Sequence, residues 1–214
     1  MFFLSHKKTL LAFFLSCTVV TFAQAEDSSP LEKLMQGNKR YVESSTVCHE
    51  DWGAKRIALA QGQTPFAVII ACSDSRVPPE IIFDQTLGDL FVIRVAGNVI
   101  DDFALGSVEY AVEVLKANLI VVLGHSSCGA VDAALKGLSF DNHIPQILKK
   151  IAPAVKATRY EPENRLEKTI KMNVLNVKKC LEKARPTLKK LFDSGDLSIR
   201  GAYYCLESGE VELL

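Results

Sequence analysis

The sequence predicts an α/β fold in which an open, mostly parallel central sheet is flanked by helices and closes on a C-terminal antiparallel edge strand. Three observations predict it. Residues 66–71, 91–96 and 119–123 are short, continuous apolar runs rich in branched side chains, the pattern of strands buried on both faces of a parallel sheet. Segments of helical periodicity separate and follow these runs, as the crossovers of such a sheet require. The tail reads as strand, turn and strand, because Glu207, Ser208 and Gly209 interrupt two strand-forming stretches.

In chain order, the first helix starts at Pro30, where Leu31, Leu34, Met35, Tyr41 and Val42 recur at helical spacing. The first strand, 66–71, follows Pro65, and the second is 91–96. Residues 105–115 carry a helical pattern long enough to cross over to the third strand, 119–123. Residues 130–135 read as a helix that ends near Gly137. Ile144–Ala157 and 165–191 read as further helices, with Leu166, Ile170, Val177 and Leu181 on one stripe of the second. Pro153 and Pro186 are expected to interrupt or end them, since the proline ring removes an amide donor and clashes with the preceding turn. Residues 197–206 and 210–214 form the closing strands. Repeats and low-complexity tracts are absent.

The chain opens with Lys7 and Lys8, an apolar run over 9–22, and the small-x-small triplet Ala23, Gln24, Ala25. This layout predicts a cleavable signal peptide over residues 1–25, cut after Ala25, and a periplasmic or secreted protein. A membrane span needs about 18 apolar residues, so the mature chain is expected to have no stable span. A lipoprotein reading at Cys17 is weaker, because Phe14, Leu15 and Ser16 make a poor lipobox. Residues 26–214 have the size of a single domain with a substantial core. The formal charge of the chain is zero, and loss of Lys7 and Lys8 takes it to −2. Such a surface offers no field for a nucleic acid and fits a small-molecule partner better. Five cysteines lie beyond residue 25: Cys48, Cys72, Cys128, Cys180 and Cys205. An odd number in an oxidising compartment points to a task other than disulfide pairing for some of them. Cys180 and Cys205 are either apolar core residues or a disulfide.

The chemistry concentrates at strand ends. Cys72 directly follows the first apolar run, His125 follows the third after Gly124, and Cys128 comes three residues later where a helix begins. Open α/β sheets collect ligands outside the carboxyl ends of their strands. One imidazole and two thiolates there supply three corners of a zinc tetrahedron and leave the fourth open, as a catalytic site requires. The helix N-terminus favours the thiolate of Cys128. Asp74 and Arg76, two apart in an extended segment, project to one side. A bidentate arginine then keeps the carboxylate ionised and oriented, able to accept hydrogen bonds and unable to donate them. Asp74 is also a candidate fourth zinc ligand, so closed and open sites both remain in play.

The strings ACSDSRVPPE, GDLFVIRVAGN, GSVEYAV and VLGHSSCGA resemble the signature blocks of beta-class carbonic anhydrases, in that family's order. LMQGNKRYVES is similar to its leading helix, and IRGAYYCLESGEVEL to its closing strand and hairpin. The resemblance implies one Zn2+ per subunit on Cys72, His125 and Cys128, with Asp74 and Arg76 as the catalytic dyad. It further implies substrate-pocket roles for Gln63, a glutamine that hydrogen-bonds substrate, for Phe91 and Ala96 beside the apolar CO2 pocket, and for Tyr110, an aromatic offered across a subunit contact. Val95 departs from the asparagine usual in the family, and Ala96 is smaller than the valine of some members. A homodimer or homotetramer is implied.

The implied reaction is reversible hydration of carbon dioxide to bicarbonate and a proton by a zinc-bound hydroxide. A carbonyl sulfide or carbon disulfide hydrolase on the same fold, and a non-catalytic zinc-stabilised scaffold, are the alternatives. His49 and His143 are polar-flanked surface residues. A subgroup of the family has an inactive state at lower pH, in which the aspartate swings onto the metal and bicarbonate fills a regulatory pocket. That pocket uses a tryptophan three residues before the first zinc cysteine and a glycine just before it. Here those positions are Ile69 and Ala71, so the switch is expected to be missing.

Overall fold

The computed structural model describes residues 28–47 and 52–214; the expected signal peptide, Cys48 and His49 lie outside them. Five strands form one sheet: β1 (Ala67–Ala71), β2 (Leu90–Arg94), β3 (Leu119–His125), β4 (Ser198–Tyr204) and β5 (Val211–Leu213), in the order β2-β1-β3-β4-β5. All neighbours pair parallel except β4 with β5. The predicted fold class and its antiparallel edge strand are therefore present.

Every residue of β1 and of β3 is buried, which explains why both read as unbroken apolar runs. Alternate side chains serve opposite faces. Val68, Ile70, Ile120 and Val122 pack with Val108, Val112, Val174, Leu181 and Leu188. Ala67, Ile69, Val121 and Leu123 pack on the other face with Leu34, Ile82 and Phe83. Each fully buried branched side chain contributes about 1.5–3 kcal/mol relative to exposure, so these two layers hold the sheet.

Eight helices cover it among the described residues. α1 (Pro30–Val42) starts on a capping box, in which Ser29 accepts from the Glu32 amide and Glu32 accepts from that of Ser29. It docks through Leu34 and Asn38; the Asn38 amide donates to the carbonyls of Ile82 and Gly209, and its oxygen accepts from the Val211 amide. α2 (Trp52–Leu59) and α3 (Pro79–Ile82) were not foreseen: α2 buries no residue and α3 is a single turn. α4 (Asp102–Glu113) is the crossover from β2 to β3, capped by Asp101. α5 (Gly129–Leu135) and α6 (Ile144–Ala157) match their predicted bounds closely.

Pro153 does not end α6; it lies inside the helix. Its ring is on the exposed side, away from the core packing of Ile151 and Ala154. Pro186 does break the predicted 165–191 helix, giving α7 (Arg165–Lys183) and α8 (Thr187–Ser194). Ile170, Val177 and Leu181 of the predicted stripe are buried, together with Val174. No helix of the described residues is long and apolar enough to cross a membrane.

Candidate metal centre

β1 and β3 are neighbours with Ala71 opposite Leu123, so both chains leave the sheet at the same edge. Cys72 is the first residue beyond β1, and His125 is the last of β3. Gly124 makes the approach of α7 possible: a Cβ there would sit 2.6 Å from Val174 Cγ2 and 3.1 Å from Ile170 Cγ2. After His125 the chain turns through Ser127, in the left-handed region at φ 55°, and Cys128 becomes the N-cap of α5. Cys72 Sγ, Cys128 Sγ and a ring nitrogen of His125 lie within 4.8 Å of one another, all in buried residues. Zinc bonds of about 2.3 Å to sulfur and about 2.0 Å to nitrogen place tetrahedral ligands roughly 3.5–3.8 Å apart, which this cluster accommodates.

The donors are prepared for a cation. His125 Nδ1 lies 2.8 Å from the Ser126 carbonyl, which only accepts, so Nδ1 carries the proton. Nε2 is then an unprotonated, buried nitrogen with no partner, the arrangement of a metal-binding histidine with its outer hydrogen bond in place. Hydrogen bonding from the Cys128 thiol pulls the Cys72 thiol well down, and the amides of Asp74 and Gly97 add to it. The same bond, together with burial, pushes the Cys128 thiol up.

Asp74 and Arg76 sit beside this cluster. Arg76 Nε and Nη2 donate to Asp74 Oδ1 and Oδ2 at 2.9 and 2.7 Å, and the Arg76 amide adds a third bond to Oδ1 at 3.0 Å. The pairing arises differently from expectation: residues 75–76 form a turn, closed by the Val77 amide on the Asp74 carbonyl, rather than an extended segment. The Arg76 guanidinium holds the Asp74 carboxyl far below the usual carboxylate range, and Asp74 raises the pKa of Arg76 in return. Asp74 Oδ2 is 3.9 Å from His125 Nε2, near the ligands and outside the ligand set. Three candidate donors with an ionised, tethered carboxylate alongside favour the open site over the closed one.

Residues 67–211 match the family model for carbonic anhydrase. The chain belongs to the beta-carbonic anhydrase family. It is 42% identical over 185 residues to carbonic anhydrase 2 of Mycobacterium tuberculosis, covering 84% of this chain and 89% of that one. The solved structure of the beta-carbonic anhydrase CcaA superposes with a TM-score of 0.69 at 32% identity, covering 86% of this chain and 94% of that one. One from a report of two tetrameric beta-carbonic anhydrases of Sordaria macrospora gives 0.69 at 25% identity, with 87% and 98% covered.

Of the other residues expected in this beta-carbonic anhydrase site, Phe91 on β2 and Tyr110 on α4 meet with ring centroids 6.3 Å apart. Ala96 lies beyond β2, which stops at Arg94, and begins a 3-10 turn over Ala96–Asn98. Gln63 is exposed in the loop before β1 and makes no hydrogen bond among the described residues. Cys180 and Cys205 are both free thiols, Cys180 exposed and Cys205 half-buried, so neither the disulfide nor the apolar-core alternative holds.

Three residues escaped sequence reasoning. The Gly97 amide donates to Cys72 Sγ at 3.2 Å. Gly97 is held there by Asn173 of α7, whose side-chain amide donates to the Gly97 carbonyl at 2.9 Å. Gly97 has φ +67°, and a Cβ would press on Ile151 and Ala130 at 2.9 and 3.2 Å, so glycine is required. Arg94 donates to the carbonyls of Cys72 and Asp74. A glycine after a strand and a polar residue in a helical apolar stripe are the faint signals that pointed this way.

Exchanging Cys128 for serine removes a thiolate for which a hydroxyl is a poor substitute on zinc. Cys128→Ser is expected to be purified with far less than one zinc per chain while the wild type carries about one. Elemental analysis of both proteins checks this, and full occupancy in the variant would remove Cys128 from the ligand set.

Proposed function

We propose that this chain catalyses the reversible hydration of carbon dioxide to bicarbonate and a proton, with one zinc ion per subunit on Cys72, His125 and Cys128. The observation that carries the reading is the ionised Asp74, chelated by Arg76, beside a buried three-donor cluster whose histidine nitrogen lacks a partner. Bound zinc supplies Lewis acidity to water, and because two thiolates cancel its formal charge, ionisation of that water falls above the value of about 7 seen with three histidines.

The chain's own groups do the rest. His125, fixed through Ser126, presents Nε2, and the amides of Gly97 and Asp74 spread the negative charge of Cys72. Asp74 accepts one hydrogen bond from the nucleophile, so the nucleophile's proton points at the carboxylate and its lone pair at substrate. Phe91 and Ala96 are proposed as apolar neighbours of carbon dioxide, Gln63 as a hydrogen-bonding group for substrate, and Tyr110 as an aromatic offered across a subunit contact. α4 exposes Phe103, Tyr110 and Val114 at 88, 50 and 57%, one helical stripe that another copy can cover. We therefore propose a homodimer or homotetramer, exported to the periplasm or secreted after cleavage behind Ala25. The carbonyl sulfide, carbon disulfide and scaffold readings have no observation in their favour.

Stopped-flow hydration with measured zinc content tests the proposal. Wild type should turn over carbon dioxide, while Asp74→Asn should keep its zinc and lose roughly 100-fold or more in kcat, because an amide donates where acceptance is needed. Wild-type rates in Asp74→Asn, or zinc-loaded wild type without turnover, would refute it.

The pH profile follows from the charges. Arg76 depresses the Asp74 pKa, so its carboxylate is charged throughout about pH 6–9 and adds no inflection there. Ile69 and Ala71 are fully buried in β1, and neither side chain carries a donor for an anion. Between about pH 6 and 9, kcat/KM should rise through one ionisation, with no cooperative inhibition by added bicarbonate. A steep cooperative loss near pH 8 would contradict this. Native mass spectrometry of protein recovered from an exporting host should show dimers or tetramers of a chain beginning at Glu26; a monomer, or an uncleaved chain, would overturn the corresponding assignment.

A further inference from the structure

We infer that Arg94 is a positioning residue for this reaction: by gripping the carbonyls on either side of Ser73 it fixes the main chain from which the Asp74 carboxylate is presented. The inference rests on the hydration reading and adds to it a residue outside the metal ligands and the Asp74–Arg76 pair.

The need for such a residue comes from the end of the sheet. Ala71 is the last residue of β1 and pairs with Arg94, and the Ala71 carbonyl accepts from the Val95 amide at 3.1 Å. That is the last rung. β2 then bends away into the 3-10 turn that brings the Gly97 amide to Cys72 Sγ. Beyond Ala71 the chain from Cys72 to Arg76 is paired with neither β2 nor β3, so its carbonyls need other partners. Arg94 extends the ladder with its side chain: Nε donates to the Cys72 carbonyl at 3.0 Å and Nη2 to the Asp74 carbonyl at 2.6 Å. A planar guanidinium spans two carbonyls in fixed geometry, which an ammonium cannot do.

Two arginines therefore divide Asp74. Arg76 occupies both carboxylate oxygens, and Arg94 holds the main chain on either side of the preceding residue. Arg94 has no carboxylate partner among the described residues, so neutralising charge is not its task. The rest of the fold does not depend on it: the Asp74 carbonyl also accepts from the Val77 amide, and the Val95 rung remains. Removing Arg94 leaves the Cys72 carbonyl without a donor and frees the loop, with the side chains of the metal ligands untouched.

The experiment compares wild type, Arg94→Ala, Arg94→Lys, Asp74→Asn and the Arg94→Ala/Asp74→Asn double variant in stopped-flow hydration, with zinc content and hydrogen exchange of the 72–77 segment. Arg94→Ala should keep wild-type zinc and lose about 10–100-fold in activity, mainly in kcat, with partial recovery on adding millimolar guanidinium. Arg94→Lys should fall between the two, and decides alone if Arg94→Ala does not fold. Because Arg94 acts through Asp74, the double variant should be no slower than Asp74→Asn. Wild-type kcat in a zinc-loaded Arg94→Lys or Arg94→Ala protein, or additive losses in the double variant, would overturn the inference. Exchange in 72–77 should rise in the Arg94 variants whatever the substrate, and unchanged exchange overturns the clamp. An inactive, zinc-loaded wild type would instead sink the hydration reading and leave the exchange result to judge Arg94.

Discussion

The parallel pairing of β1 with β3 is the constraint on which the metal centre depends. It places Ala71 opposite Leu123, and that register alone brings two stretches of chain more than 50 residues apart to a common edge. Shifting it by one residue would turn the alternating side chains to the wrong layers. Fully buried side chains on both faces of both strands make such a slip costly. The hydrophobic layers thus fix where Cys72 and His125 stand relative to each other.

Electrostatics at the edge then sort the groups by task. The hydrogen bond between Cys72 and Cys128 lowers one thiol and raises the other, which disfavours two adjacent negative charges. His125 is oriented by the contact of its Nδ1 with the Ser126 carbonyl. Asp74 keeps its charge because Arg76 binds both its oxygens, with its side chain 18% exposed. Asp74 and the three candidate donors therefore lie close together.

Much of this was legible because the residues that carry chemistry sit directly after apolar runs. Cys72 and His125 could be placed at strand ends from pattern alone, and Asp74 and Arg76 were close enough in sequence to be paired, although a turn joins them instead of an extended segment. Other features left no trace. α2 buries nothing and so shows no periodic stripe. Arg94 acts on main-chain carbonyls, which have no side-chain signature. Asn173 meets Gly97 across 76 positions, a contact that only the folded chain defines. Pro153 was misjudged because tolerance of proline depends on which side of the helix faces water. Gln63 owed its place to resemblance, and a single chain supplies it with no partner.

The close approaches at Gly124 and Gly97 mean that the centre is rigid on one side and open to variation on the other. Beneath the histidine, α7 already touches the main chain, and beside Cys72 the 3-10 turn is pressed on Ile151 and Ala130. Neither wall has slack for a larger atom. Val95 and Ala96 are half-buried and follow an edge strand with nothing paired outside it. Any lineage or engineer that reshapes the surroundings of Cys72 for a bulkier or more polar reactant would have to work from the β2 side, leaving the α7 side as it stands.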